Sequence, residues 1–208
     1  MSDLESMLEQ ILSLGDVRGP LPAFSPVHMI YALMLIQDYG RIGRKRLSDL
    51  LSLGEGSVRT LIKKLDSLGL VTAGKSGYAL SEKGSGLLRL LSSKITKLTE
   101  LKIPLPWKSP HNTGIVVRGA ASSVKSGIVQ RDASIRFGAE EALILTYSED
   151  GLQMPMISNL SRERPDFAAQ IVDSLHPSKG DVIIITGARD SVASRYAALG
   201  AALTLLRH

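Results

Sequence analysis

The side chains with the most evident chemistry lie together in Arg41-Ile-Gly-Arg-Lys-Arg-Leu-Ser-Asp-Leu-Leu-Ser-Leu-Gly-Glu-Gly-Ser-Val-Arg-Thr-Leu-Ile-Lys-Lys-Leu-Asp-Ser-Leu-Gly-Leu-Val71. Arg44, Lys45 and Arg46 are contiguous, Arg59, Lys63 and Lys64 follow, and Lys75 stands in the short run Gly74-Lys-Ser-Gly77. Cationic groups at this density suit a polyanion. Residues 41–83 hold nine Lys or Arg against four Asp or Glu, an excess equal to the net charge of +5 for all 208 residues. Residues 111–208 hold ten of each sign, so the basic character belongs to one short segment.

The elements that must position these groups follow from the apolar spacing. Leu47, Leu50 and Leu51 give a short helix over Arg44–Leu51, and Ser52-Leu-Gly54 gives a tight turn. Val58, Leu61, Leu65 and Leu68 then make the buried stripe of a helix from Glu55 to Leu68, which Gly69 stops. That stripe leaves Ser57, Thr60 and Lys64 on the opposite face, with Arg59 and Lys63 flanking it. The DNA major groove is about 12 Å wide and admits one such helix. Residues near the helix start reach base edges, so Ser57, Arg59 and Thr60 are the expected readers, with Arg59 able to bond guanine O6 and N7 together. Lys63 and Lys64, further along, and Arg44, Lys45 and Arg46, at the start of the preceding helix, are expected on phosphates. Two strands, Leu70–Ala73 and Tyr78–Leu80, form a hairpin whose tip carries Lys75, placed for a backbone or minor-groove contact.

Arg41-Ile-Gly-Arg-Lys-Arg-Leu-Ser and Leu53-Gly-Glu-Gly-Ser-Val-Arg-Thr-Leu, closed by Gly69-Leu-Val and Leu80-Ser-Glu-Lys-Gly84, resemble the winged helix-turn-helix of bacterial and archaeal repressors. The helix-turn-helix is similar to that of the central glycolytic gene regulator family. The whole layout resembles archaeal two-domain regulators with an uncharacterised C-terminal domain. The resemblance covers roughly residues 26–101 and implies a double-stranded DNA partner and a role in transcription.

Around this segment, Leu4, Met7, Leu8, Ile11 and Leu12 predict a first amphipathic helix, and Gly19–Pro26 reads as a stiff connector. Ser25-Pro26 opens a helix that runs to Gly40. From Lys83 a long helix is predicted to about Leu101, with Leu88, Leu91, Ile95 and Leu98 forming an a/d seam for a second copy. A homodimer joined there would place two winged helices one DNA turn apart. The predicted organisation is therefore residues 1–101 for DNA binding and dimerisation, 102–113 as a proline-spaced linker, and 114–208 as a second domain.

The second domain alternates strand and helix: Ile115–Arg118, a helix over Ser123–Phe137, a hairpin Ala142–Tyr147 and Leu152–Ile157, a helix over Pro165–Leu175, a strand Asp181–Thr186, and a closing helix Ser191–Leu206. The fold class is α+β, with a ferredoxin-like β-α-β-β-α-β sandwich and one extra C-terminal helix. Its expected role is to bind a small-molecule effector. Thr186, Gly187, Arg189 and Ser191, at a strand end before a helix, and Arg118, at a second small-residue turn, are the candidate effector contacts. A plain capped helix start is the competing explanation, since neither a dinucleotide fingerprint nor a phosphate loop is present.

No nucleophile–base pair stands out, and no catalytic residue is assigned. With no cysteine, thiolate zinc sites and disulfides are excluded, and the histidines (28, 111, 176 and 208) lack ligand spacing, so no metal or cofactor is expected. Aromatics at 4% argue against stacking on unpaired bases. The acidic, amphipathic start is unlike a signal peptide, and no apolar run reaches membrane-spanning length, which predicts a cytoplasmic protein without membrane contact. The sequence thus predicts a dimeric, sequence-specific DNA-binding regulator. An enzyme with an accessory winged helix and a protein-interaction scaffold are the alternatives.

Overall fold

Ser25, in extended conformation at φ −117°, starts the helix on which the N-terminal half is built, α2 (Pro26–Tyr39). Its backbone N–H donates to His28 Nδ1 at 3.1 Å, a capping box with imidazole in place of the usual carboxylate. The computed structural model describes residues 3–14 and 24–206, which divide at Leu91/Ser92 into two units. Most of the expected connector, residues 19–26, lies outside the described residues.

In the first unit, α1 (Asp3–Ser13) buries Met7, Leu8, Ile11 and Leu12, the predicted stripe. Helix α2 is apolar nearly all round and accordingly central: Met29, Ile30, Leu33 and Ile36 are inaccessible. Helix α3 (Arg44–Leu51) buries Leu47 and Leu51, and its C-cap Ser52 takes the left-handed conformation. The Ser48 hydroxyl donates to the Leu53 carbonyl across the turn. Helix α4 (Glu55–Ser67) buries Val58, Leu61, Ile62 and Leu65. Strands β1 (Val71–Gly74) and β2 (Gly77–Leu80) pair antiparallel around the two-residue turn Lys75-Ser76. Ile42 adds a rung to this hairpin, exchanging backbone hydrogen bonds with Tyr78 at 3.0 and 2.9 Å. Helix-turn-helix plus this hairpin is the winged-helix arrangement.

The helix expected from Lys83 to Leu101 is shorter. It is α5 (Glu82–Lys94), with the Ser81 hydroxyl accepting from the Gly84 N–H. After Lys94 the backbone finds partners along a strand instead: Ile95 bridges Val117, and Thr96 N–H donates to the Val116 carbonyl at 2.9 Å. The expected seam does not exist as a free surface, because Leu88, Leu91 and Ile95 are already buried within the chain. Spacing of three and four is equally the spacing of a helix packing on its own protein.

The second unit contains β3 (Thr99–Glu100), β4 (His111–Val117), a 3-10 turn at 121–123, α6 (Ile128–Arg136), β5 (Glu141–Ser148) and β6 (Gly151–Met154). Strand β7 (Ser158–Asn159), helices α7 (Leu160–Glu163) and α8 (Pro165–Leu175), β8 (Val182–Ala188) and α9 (Ser191–Thr204) complete it. The α+β class and the β-α-β-β-α-β order with a closing helix are as predicted. The sheet is antiparallel throughout, in the order β3-β4-β8-β5-β6-β7. Fully buried β8 therefore sits inside, between β4 and β5. Residues 102–113, expected as a linker, belong to this unit: Ile103, Leu105 and Trp107 pack on its core, and His111–Thr113 are part of β4.

Helices cover both faces of this sheet, giving three layers. Val116, Leu143, Leu145, Ile183 and Ile185 face α8 through Ala168, Ile171 and Leu175. Thr113 and Thr186 face α9, and Ile144 faces the start of α6. The helix predicted over Ser123–Phe137 breaks at Gly127, whose φ is +75° and where a Cβ would press within 3.1 Å of Ile144.

Candidate nucleic-acid interface

Helix α4 turns its apolar stripe inward, which fixes what it shows outward. Arg59, Thr60 and Lys63 are exposed, while Ser57 and Lys64 are half-buried. The outward face is therefore centred on Arg59 and Lys63, which the sequence placed at its flanks. The cause is Ile62, which is buried along with Val58, Leu61 and Leu65 and so widens and rotates the inward stripe. The Thr60 hydroxyl donates to the Gly56 carbonyl at 3.2 Å, leaving its oxygen to accept from outside.

The start of α3 lies between the wing and the first turn of α4. Arg41 Nη1 donates to the Gly77 carbonyl at 2.9 Å, tying the residue before Ile42 to the hairpin. Arg44 Nε meets Glu55 Oε2 at 3.3 Å, tying α3 to α4. The Arg46 guanidinium stacks over the Tyr39 ring, 4.3 Å from its centroid, which orders a long side chain without neutralising it. Lys45 and Lys75, the latter at the wing tip, are exposed. Eight of the expected DNA contacts thus lie on two consecutive helices, α3 and α4, which these links join to each other and to the wing, with Arg44 already engaged by a carboxylate. Lys75 completes the set from the wing. Arg41 was not singled out from the sequence, although it opens the basic run; only its bond to the wing shows its place.

Both helices begin with glycine N-caps, Gly43 and Gly54, and neither has a side-chain cap. By contrast, Asn159 and Asp190 cap α7 and α9 through bonds to Arg162 N and Ala193 N. The N-terminal N–H groups of α3 and α4 are thus left to outside acceptors, with helix dipoles that favour anions.

The five effector candidates are not brought together. Arg118 follows β4 at the end where Val117 pairs Val182, whereas Gly187 lies at the far end of β8, opposite Asn112. Five residues of strand separate the two ends, about 16 Å. Thr186 is fully buried; its hydroxyl donates to the Ser194 carbonyl at 2.8 Å, beside a Ser194–Thr113 hydroxyl bond of 2.8 Å. Gly187 is overlaid by Trp107 and Ser109, and Arg189 pairs with Glu140. Ser191 is exposed at the first position of α9, behind its Asp190 cap. The loop is a capped helix start on a closed strand end.

Fold and site together define a winged-helix protein with an appended α/β domain. Residues 28–86 match the family described as PH0730-like, N-terminal domain, and residues 108–205 match a domain of unknown function, DUF4443. The solved structure of hypothetical protein PH0730 from Pyrococcus horikoshii OT3 is similar at 30% identity and a TM-score of 0.64, covering 86% of this chain and 91% of that chain. The chain belongs to the PH0730-like family. No curated protein matches it. Among the described residues, no helix is long and apolar enough to cross a membrane, and no group of three or more acidic or histidine side chains is placed to hold a metal ion.

Proposed function

We propose that this protein binds double-stranded DNA sequence-specifically through its winged helix and acts as a transcription regulator. The observation that carries the reading is the outward face of α4, where Arg59, Thr60 and Lys63 are exposed with no acidic side chain among them. Lys45, Arg46, Arg41 and Lys75 extend it, and Glu55, at the start of α4, is held by Arg44. With α4 in the major groove, Arg59 reads a base and Lys63 meets a phosphate. The uncapped starts of α3 and α4 receive further phosphates. Two copies on an inverted repeat would set their α4 helices about 34–36 Å apart. The second unit then serves as the sensing or assembling part.

The test is binding to duplex DNA, including the fragment upstream of the protein's own gene, across a salt series. About five neutralised phosphates per protomer give a log–log slope near −4 to −5. Arg59→Ala is expected to relax sequence preference, and Lys63→Ala to weaken all duplexes alike while lowering the slope by about 1. Weak, salt-insensitive binding shared by both variants would sink the reading in favour of a protein-interaction scaffold.

A further inference from the structure

Helix α6 is built inside out. Its inward side carries Gln130, Ala133 and Ser134, all buried, with Gln130 Nε2 donating to Thr204 Oγ1 at 3.1 Å and the Ser134 hydroxyl donating to the Gln130 carbonyl. Its outward side carries Ile128, Val129 and Ile135, which are 57%, 65% and 48% exposed. Polar residues inside and β-branched apolar residues outside invert the usual helix pattern. An apolar stripe that the chain's own fold does not cover marks a contact surface.

The order of residues on this stripe says what covers it. Ile128, Arg131, Asp132 and Ile135 fall at i, i+3, i+4 and i+7, within an arc of about 100°. Arg131 and Asp132 are exposed, and neither takes part in an ion pair among the described residues. The sequence Ile-x-x-Arg-Asp-x-x-Ile is apolar-symmetric and charge-antisymmetric about the midpoint between Arg131 and Asp132. When two such helices cross antiparallel about a two-fold axis there, Ile128 meets Ile135 of the other copy in the same register that sets Arg131 against Asp132, twice over. A two-fold contact requires a surface complementary to itself, and this one is.

We propose that the outward face of α6 is the homodimer contact, α6 packing antiparallel on α6 of a second copy. This contact does not rest on the DNA reading; it replaces α5 as the element joining two copies. One short helix covers less than the roughly 800 Å² per partner of standard interfaces, so association in the micromolar range is expected.

Sedimentation velocity of the full chain across a concentration series tests it. Wild type is expected to shift from one-chain to two-chain mass. Arg131→Asp sets an acidic group against the partner's Asp132 at both contacts, and Asp132→Arg sets a basic group against its Arg131 at both; each is expected to weaken association at least tenfold. The mixture of these two single variants restores both ion pairs, so a two-chain species should return, as it should in the double variant R131D/D132R. All three substituted positions are exposed, so unchanged melting temperatures separate lost association from lost folding. A wild type that stays monomeric at all concentrations overturns the proposal. So does a dimer indifferent to Ile135→Asp and to both charge changes. Duplex-DNA binding by the same variants is read separately, so failure of the contact and failure of the DNA reading remain distinct.

Discussion

Arg44 Nε lies 3.3 Å from Glu55 Oε2, joining the first residue of α3 to the first residue of α4. Both side chains are about half exposed, so the pair contributes roughly 0.2–1 kcal/mol at most. Its larger effect is on charge, because it places the one carboxylate of the α4 start against a cation.

Glu55→Gln removes that negative charge from the proposed DNA face and frees Arg44 for phosphate. Duplex binding should tighten several-fold at low salt, with the salt slope steepening by about 1. Thermal unfolding should change by less than about 1 kcal/mol. Unchanged or weakened binding would count against this face meeting DNA.

The wing depends on Gly77, whose φ is +121° and where a Cβ would press on the Ile42 carbonyl and on Gly43 N at 2.8 Å. Gly77→Ala therefore strains the backbone and disrupts the Ile42–Tyr78 rung. A loss of about 2–4 kcal/mol is expected from the denaturant midpoint. A loss below about 0.5 kcal/mol would show that the rung is dispensable.

His28 gives the fold a pH dependence of known sign. Burial lowers its pKa below the ordinary 6.5, and its Nδ1 must be unprotonated to accept from Ser25 N–H. Below pH 6.5 the unfolded chain binds a proton that the folded chain does not, so stability falls as pH drops from about 7 towards 5. His28→Gln keeps an acceptor at the third helical position without titrating. Urea unfolding at pH 7 and 5.5 should show a smaller difference in the variant than in wild type. Equal differences would remove His28 from the account.

Thr186→Val separates a structural from a ligand-binding role. The change preserves shape but deletes the hydroxyl that donates to the Ser194 carbonyl. A stability loss of about 1–2 kcal/mol is expected. An unchanged melting temperature would contradict the buried hydroxyl network.

How far the sequence reached differs from element to element. Helices α3 and α4 and the wing were legible because local signals agree: leucine periodicity, glycine stops and a two-residue turn between short strands. The strand-helix order of the second unit was legible for the same reason. Helix α5 was not, because its leucine spacing fits a partner seam or self-packing equally, and the edge of β4 claims the backbone from Ile95 onward. The effector candidates differ again: Arg118 and Gly187 look alike as small-residue turns, and only the register of β4 with β8 shows that the two turns lie at opposite ends of the sheet.

What the sequence determined by itself is local: the order of helices and strands, where most turns fall, and that the positive charge gathers over residues 41–83. Periodicity and capping act over a few residues, so these features are encoded where they occur. Tertiary structure alone decided that Arg59 and Lys63 face outward together, that Arg41 bonds the wing, and that α6 turns isoleucines to solvent. Those facts depend on which distant surface each helix packs against, and burial of the best-fitting face, polar or apolar, overrides the helix's own pattern.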